Sequence, residues 1–144
     1  MQLTTHTDYA LRLLIYLALF KAEPALTVQD AAARYGISTN HLAKVAQSLV
    51  QQGYITSQRG RGGGLALTHD PADINIGEVV RTLESFNLVE CFSDDSMCKI
   101  ERDCKLAEAI DAAREAFLQT LERYTLADLV RTKTKLIRML GRGR

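Results

Sequence analysis

The sequence lacks an apolar run of the roughly 20 residues that a membrane-spanning helix requires. The most apolar stretch near its start, residues 10–20, is shorter than that and contains Arg12. It also follows Asp8, at a place where a signal peptide would carry Lys or Arg. We therefore expect a cytoplasmic protein with neither a leader nor a membrane partner.

Internal repeats and low-complexity segments are also absent. The sequence shows no Ser/His/Asp or Cys/His grouping of the kind that nucleophilic catalysis uses. Its glycine-rich segment, residues 60–64, is not followed by the Lys and Ser or Thr of a nucleotide-binding loop. The 144 residues, 47% hydrophobic and 24% charged, suit one globular domain. We do not expect an enzyme.

Acidic residues are missing between residues 31 and 69, although the whole chain is nearly neutral with a net charge of +1. A surface that faces phosphates requires such a gap, because each carboxylate would repel the nucleic-acid backbone. A chance gap on a neutral surface would give the same pattern. The cations and histidines of this segment are Arg34, His41, Lys44, Arg59, Arg61 and His69.

The acid-free segment has the pattern of a helix-turn-helix. A first helix is predicted to start near Thr7 or Asp8. Thr27 is placed to cap a second helix, Gly36 to end it, and Ser38 to cap a third. In such a motif the amino-terminal end of the second of the paired helices meets base edges in the major groove. We expect DNA contacts there from Ser38, Thr39, Asn40, His41 and Lys44.

A β-hairpin is predicted next, over residues 54–68, because two strand-forming stretches flank a glycine-rich tip. A hairpin beside a helix-turn-helix is typical of a wing. We expect Gly60 to let the backbone approach DNA closely, and Arg59 and Arg61 to reach phosphates or a narrow minor groove.

The predicted fold class is mainly α with a small β-hairpin, a winged helix-turn-helix plus a long dimerisation helix. We place the winged region at residues 1–85, a cysteine-bearing cluster-binding loop at 86–104, and the dimerisation and carboxy-terminal helices at 105–144. The long helix is predicted over 104–123. Its apolar stripe would pair with a second subunit, or alternatively pack on its own domain. A last short helix begins at Thr125, and the basic segment 129–144 is predicted to be solvated and frayed at its end.

Cys91, Cys98 and Cys104 are the only cysteines, and they form no Cys-x-x-Cys motif, which excludes a zinc ribbon or a thioredoxin motif. No histidine lies between residues 70 and 144. Cys104 lies at the predicted start of the long helix, whose amino-terminal end favours a thiolate. From the residues alone, a metal ion or cluster, redox-sensing thiols and incidental cysteines all stay open.

Residues 1–12, 59–65, 76–80 and 124–130, together with the three cysteines, resemble the winged-helix iron–sulfur transcription regulators of the NsrR/IscR family. The resemblance covers nearly the full chain. It implies a cytoplasmic homodimer that represses transcription from a pseudo-palindromic DNA operator. The cofactor it implies is an iron–sulfur cluster on Cys91, Cys98 and Cys104, although one residue more than usual separates the first two.

Within that family the chain is most similar to the nitric-oxide-sensing branch, which binds a 4Fe–4S cluster. Ala107 replaces the histidine that 2Fe–2S members carry, and Asp8 matches the aspartate that completes the cluster from the partner subunit. Arg12, one turn along, would stabilise that carboxylate. The alternative for Asp8 is a helix cap paired with Arg12. The alternative function is a regulator of the same architecture that senses redox state or iron–sulfur supply through a 2Fe–2S cluster or reactive thiols.

Overall fold

The computed structural model describes residues 1–141, which contain seven α-helices and one two-stranded sheet. This confirms the predicted fold class. Arg142 and Arg144 of the basic segment lie outside the described residues. None of the described helices has the length and apolar character needed to cross a membrane. The elements are α1 (Thr5–Leu19), α2 (Val28–Tyr35), α3 (Thr39–Gln51), β1 (Ile55–Gln58), β2 (Gly64–Leu67), α4 (Ile76–Leu83), α5 (Lys105–Leu121), α6 (Leu126–Leu129) and α7 (Lys133–Leu140).

Helix α1 is the centre of the hydrophobic core. Thr4 caps it by accepting a hydrogen bond from the Thr7 backbone nitrogen at 3.3 Å. The helix therefore starts before the predicted position, and Asp8 lies inside its first turns instead of capping it. Leu13, Leu14 and the other apolar side chains of its inner face are fully buried.

Helices α2 and α3 form the predicted helix-turn-helix. The Thr27 side chain accepts from the backbone of Asp30, and Gly36 ends α2 in the left-handed conformation with φ 66°. Ser38 then caps α3 by accepting from the backbone nitrogen of His41 at 3.2 Å. The inner face of α3 packs on α1 and is completely covered, with Leu42, Val45 and Leu49 all at 0% exposure.

The predicted wing is confirmed as an antiparallel hairpin in which Ile55 pairs with Leu67 and Gln58 with Gly64. The Leu65 backbone nitrogen donates to the Leu26 carbonyl at 2.7 Å, which ties β2 to the segment before α2. Gly64 is required at this contact, because a Cβ there would lie 2.7 Å from the same carbonyl oxygen.

Helix α5 meets the winged region at α4. Its 17 residues span about 26 Å, slightly less than the predicted helix. The Asn75 side-chain amide donates to the Glu122 carbonyl at 2.7 Å, just beyond the end of α5. Gly77 allows this approach, since a Cβ at that position would lie 2.6 Å from the Glu122 nitrogen. Leu118 is the one fully buried residue of α5.

The segment after α5 returns to the winged region. Thr125 and Asp128 form a reciprocal capping box at the start of α6. Helix α7 follows, and it is less solvated than the basic composition of this segment predicts. One of its faces packs against the core, because apolar residues recur there at helical spacing. The residues of this face are Leu136, Ile137 and Leu140.

Candidate metal centre and nucleic-acid interface

The three cysteines lie on one irregular segment between α4 and α5. Cys91 belongs to a single 3₁₀ turn, Glu90–Phe92, and Cys104 immediately precedes α5. All three thiols are half-buried and none is in a disulfide. Glu90 organises the segment, because its carboxylate accepts from the Met97 backbone nitrogen at 3.1 Å and its carbonyl accepts from the Ser93 hydroxyl at 2.7 Å.

Burial raises the pKa of the Cys91 thiol above its usual value, and the nearby Cys98, Glu101 and Cys104 add to the rise by electrostatic repulsion. Cys98 and Cys104 therefore lie close enough to Cys91 to affect the ionisation of its thiol. Among the described residues, however, no three Cys, His, Asp or Glu side chains converge closely enough to hold a single metal ion. The arrangement does not form a mononuclear site.

An iron–sulfur cluster fits this donor set better than a single ion. In a 4Fe–4S cluster each thiolate would bind a different iron, so the sulfurs need not converge on one point. The three thiols present are the soft ligands that iron–sulfur clusters require. Three thiolates leave one iron of a four-iron cluster to be ligated by a different group.

Asp8, the sequence-predicted fourth ligand, pairs with Arg12 inside the same chain. Its carboxylate accepts from Arg12 Nη2 at 2.8 Å and from Nε at 3.1 Å, and both side chains are partly exposed. The guanidinium lies 5.7 Å from the ring centroid of Tyr9 and 6.0 Å from that of Tyr35. The position of Arg12 is thus fixed by two rings as well as by Asp8.

Tyr35 anchors α2 to α1 beside this ion pair. Its hydroxyl donates to the Arg12 carbonyl at 2.9 Å. Burial raises the pKa of Tyr35 to about 12, so the phenol stays protonated and keeps donating at neutral pH. Helix α2, which packs against α3, is therefore hydrogen-bonded to α1, the helix that carries Asp8.

The start of α3 is presented to solvent. Thr39, Asn40 and Lys44 are exposed, and none of the side chains in the first turn of α3 is acidic. Ser38 is exposed too, although its hydroxyl oxygen is used by the cap. His41 is different, because its ring lies 4.9 Å from the Tyr9 ring and is half-buried. Four of the five predicted DNA-contact residues are thus exposed, with the Ser38 hydroxyl engaged in the cap, and the half-buried His41 also contacts α1.

The tip of the wing is exposed as a whole, including Arg59, Gly60 and Arg61. Gly60 adopts φ 92° and Gly62 φ 73°, a region that other residues rarely enter. The tip of the hairpin carries two guanidinium groups, those of Arg59 and Arg61, on either side of Gly60. Such cations can contact phosphates in either groove.

Apolar side chains are exposed along the cysteine segment and the adjoining end of α5. Met97 is 84% exposed, Ile100 68% and Leu106 64%. The apolar stripe predicted for the long helix consists of Leu106, Ala109, Ile110, Ala113, Phe117 and Leu121. Ala109 and Ala113 are also exposed, while Ile110, Phe117 and Leu121 are half-buried. Packing on its own domain therefore leaves much of this stripe uncovered.

Several long-range contacts that the sequence does not indicate connect the site to the rest of the fold. The Glu84 carboxylate accepts from the Thr4 backbone nitrogen at 3.0 Å, which holds the start of α1 against the end of α4. Arg34 donates to the Gly141 carbonyl at 3.1 Å and stacks on Phe20. These contacts join residues far apart in sequence, so no local sequence pattern predicts them.

Comparison with known proteins assigns the chain to a family. Residues 3–132 match the Rrf2 family model, described as "Iron-dependent Transcriptional regulator". The HTH-type transcriptional regulator NsrR of Bacillus subtilis is 46% identical over 142 residues, covering 97% of each chain. That of Geobacillus kaustophilus is 44% identical over 146 residues, covering all of this chain and 99% of the relative.

Solved structures agree with this assignment. IscR of T. potens superposes with a TM-score of 0.72 at 24% identity, covering 92% of this chain and 88% of that one, and so shows the shared fold. CymR, the global cysteine regulator of B. subtilis, gives 0.66 at 26% identity, with 92% and 98% covered. The chain belongs to the Rrf2 family of transcription regulators and is not an enzyme.

Proposed function

We propose that this chain is a homodimeric repressor that binds operator DNA and senses nitric oxide through a 4Fe–4S cluster. Cys91, Cys98 and Cys104 hold the cluster, and the partner subunit's Asp8 supplies the remaining ligand. The observation that carries the proposal is the combination, in one chain, of an exposed helix-turn-helix with three half-buried, unpaired thiols on one segment. The similarity to regulators named NsrR supports it.

The DNA-binding part rests on α3 and the wing. Two copies of α3 in a symmetric dimer would enter successive major grooves about 34 Å apart, so the operator is pseudo-palindromic. Asn40 has the side chain that pairs with adenine, and Lys44 can reach guanine or phosphate. Ser38, Thr39 and His41 contribute at the same helix end. Arg59, Gly60 and Arg61 hold the flanking backbone or minor groove.

Dimerisation rests on the exposed stripe of α5. A second copy of the same helix is the partner that a self-complementary apolar stripe fits. The ligand assignment requires that this pairing also place the partner subunit's Asp8 within reach of the cysteine segment. Each cluster would then be shared between two subunits.

When bound, the cluster supplies the iron with which nitric oxide reacts. The chain's own contribution is the choice of ligands. A carboxylate is a harder ligand than a thiolate and is held less firmly by iron, so the Asp8 bond is the one most easily lost. If its bond to iron were lost, Asp8 would return to the Arg12 guanidinium, with which it has contacts of 2.8 and 3.1 Å in this structure. Such an exchange would separate each winged region from the opposite subunit and would release DNA.

A switch between nearly full and nearly empty operators requires that the affinities for DNA before and after reaction with nitric oxide differ by about 10⁴-fold.

The test of the proposed function is a Cys91→Ser variant in anaerobic DNA-binding measurements. We expect weakened operator binding and no response to nitric oxide. A variant that binds and releases DNA as the unmodified protein does would overturn the cluster assignment.

The same architecture with a 2Fe–2S cluster or with reactive thiols is the second candidate. The free, half-buried state of all three cysteines is compatible with thiol sensing. Iron content separates the two, since about two irons per chain, or none, would favour this second function.

A further inference from the structure

Arg114, on α5, contacts the turn that carries Cys91. Its guanidinium carbon lies 5.7 Å from the ring centroid of Phe92, the residue that follows Cys91 in the 3₁₀ turn. Arg114 also forms ion pairs with Asp111 at 2.5 Å and with Glu115 at 3.5 Å, and its side chain is only 30% exposed. The guanidinium is therefore held in place on α5 while one of its faces meets the cysteine segment.

The same arrangement continues from α5 to the winged region. Glu115 accepts two hydrogen bonds from Arg81 of α4, at 3.0 and 3.2 Å, and Arg81 also donates to Glu122 at 2.8 Å. A bidentate pair of this kind fixes both partners in orientation. A continuous series of contacts thus runs from α4 through Arg81, Glu115 and Arg114 to Phe92, beside Cys91.

One donor in this series is unused. The Nε–H of Arg114 is buried and has no hydrogen-bond partner among the described residues. Buried donors nearly always have a partner, because an unpaired one loses its hydration without compensation. Phe92, in the turn that carries Cys91, contacts this guanidinium through its ring. An acceptor from that turn would satisfy the Nε–H.

We propose that Arg114 is a positioning residue for Cys91. It holds the Glu90–Phe92 turn against α5, connects that turn to α4 through Glu115 and Arg81, and reserves its Nε–H for a sulfur acceptor of the ligating cysteine segment. The hydrogen bond from the Nε–H to a ligating cysteine rests on the function proposed above. The anchoring of the Glu90–Phe92 turn to α5 does not depend on that function.

The first test uses the cluster-free protein. Each cysteine is alkylated with iodoacetamide under reducing conditions, and its rate is followed by peptide mass spectrometry. In Arg114→Gln the turn loses its anchor, so alkylation of Cys91 should accelerate about fivefold, while Cys98 and Cys104 change less than about twofold. Arg123→Gln, an exposed arginine just beyond the end of α5, is the matched control and should change none of the rates.

Phe92→Leu removes the ring and keeps an apolar side chain at the same place. We expect it to accelerate Cys91 alkylation as Arg114→Gln does, and the double variant to match either single one, because both remove the same contact. Unchanged Cys91 rates in Phe92→Leu and in folded Arg114→Gln would overturn the proposal. A uniform acceleration of all three cysteines would also overturn it, since that result indicates general loosening.

The second test uses the reconstituted protein and Arg114→Lys, which keeps the charge and lacks the Nε–H. We expect normal iron content, a shifted reduction potential and an altered visible spectrum, because hydrogen bonds to ligating sulfurs tune both. Identical potentials and spectra would overturn the role of the Nε–H. If the unmodified protein assembles no cluster, the proposed function fails, while the alkylation test still decides whether Arg114 positions the turn.

Discussion

Asp8 and Arg12 lie one helical turn apart on α1 and are joined by two contacts, of 2.8 and 3.1 Å. Both side chains are more than 40% exposed, so solvent weakens the pair to a few tenths of a kcal/mol. Asp8 can therefore leave Arg12 at little cost in stability. A low cost of this kind suits the exchange of partners that we propose for Asp8.

Replacing Asp8 with Asn should separate its ion pair with Arg12 from its proposed role as an iron ligand. We expect the free energy of unfolding of the cluster-free protein to change by less than about 0.5 kcal/mol in urea titrations. Bound cluster should be lost to a chelator markedly faster, because a neutral amide ligates iron poorly. Asp73→Asn, at another exposed site, is the control for both measurements. Equal cluster lifetimes in the two variants would remove Asp8 from the ligand set.

Substitution of Asn40 and substitution of the wing arginines should weaken DNA binding in different ways. Arg59→Ala and Arg61→Ala should weaken binding to specific and random DNA alike, and each should lower the slope of log K against log salt by about 1. Asn40→Ala should cost about 1–3 kcal/mol on the operator and little on random DNA. Fluorescence anisotropy over a range of salt concentrations measures both. If Asn40→Ala loses equal affinity on the two DNAs, Asn40 does not read a base.

Gly77→Ala should open the junction between α4 and α5. The added Cβ would lie 2.6 Å from the backbone nitrogen of Glu122, which cannot swing aside as a flexible side chain can. We expect destabilisation of about 1–3 kcal/mol, typical of overpacking. Thermal and urea unfolding check this, with Thr82→Ala on the exposed face of α4 as a control of small effect. A fully stable Gly77→Ala protein would show that the junction is looser than described.

Acid should weaken the same junction and the α6 cap. Hydrogen bonds from Arg81 hold the pKa of Glu115 below its usual value, and the backbone N–H of Thr125, followed by Arg131, lowers the pKa of Asp128. A carboxylate with a depressed pKa stabilises the fold above its unfolded-state pKa, and this stabilisation is lost as the pH falls through the folded-state value.

We therefore expect the free energy of unfolding to fall as the pH drops below about 4.5. Glu115→Gln combined with Asp128→Asn should make that fall shallower. Urea titrations at pH 7, 4.5 and 3 measure it. The same acid dependence in both proteins would mean that other carboxylates are responsible.

Local chemistry made much of the fold predictable. The caps at Thr27 and Ser38, the left-handed Gly36 and the glycine-rich wing each act within a few residues, and the structure has them where the sequence places them. The first helix begins earlier than the sequence predicts, because Thr4 caps it and Asp8 lies within it. In the basic carboxy-terminal segment, the many basic residues favour a solvated chain, although apolar residues at helical spacing are interleaved with them in α7.

Contacts between distant residues could not be predicted in this way. Arg114 and Phe92 are 22 positions apart, and Arg81 and Glu115 are 34 apart, so neither pair leaves a periodic signal. The half-buried state of His41 likewise depends on where α1 places Tyr9. Tertiary packing decides these positions, and they are the ones that connect the cysteine segment to the winged region.

The most direct measurement is made on anaerobically purified protein. Iron content, visible absorption and affinity for an operator selected from a random DNA library are determined before and after addition of nitric oxide. We predict about four irons per chain, a broad visible band that bleaches, and a large loss of operator affinity in parallel with the bleaching. A colourless protein, or one whose DNA affinity is unchanged when its absorption bleaches, would contradict nitric oxide sensing through a cluster.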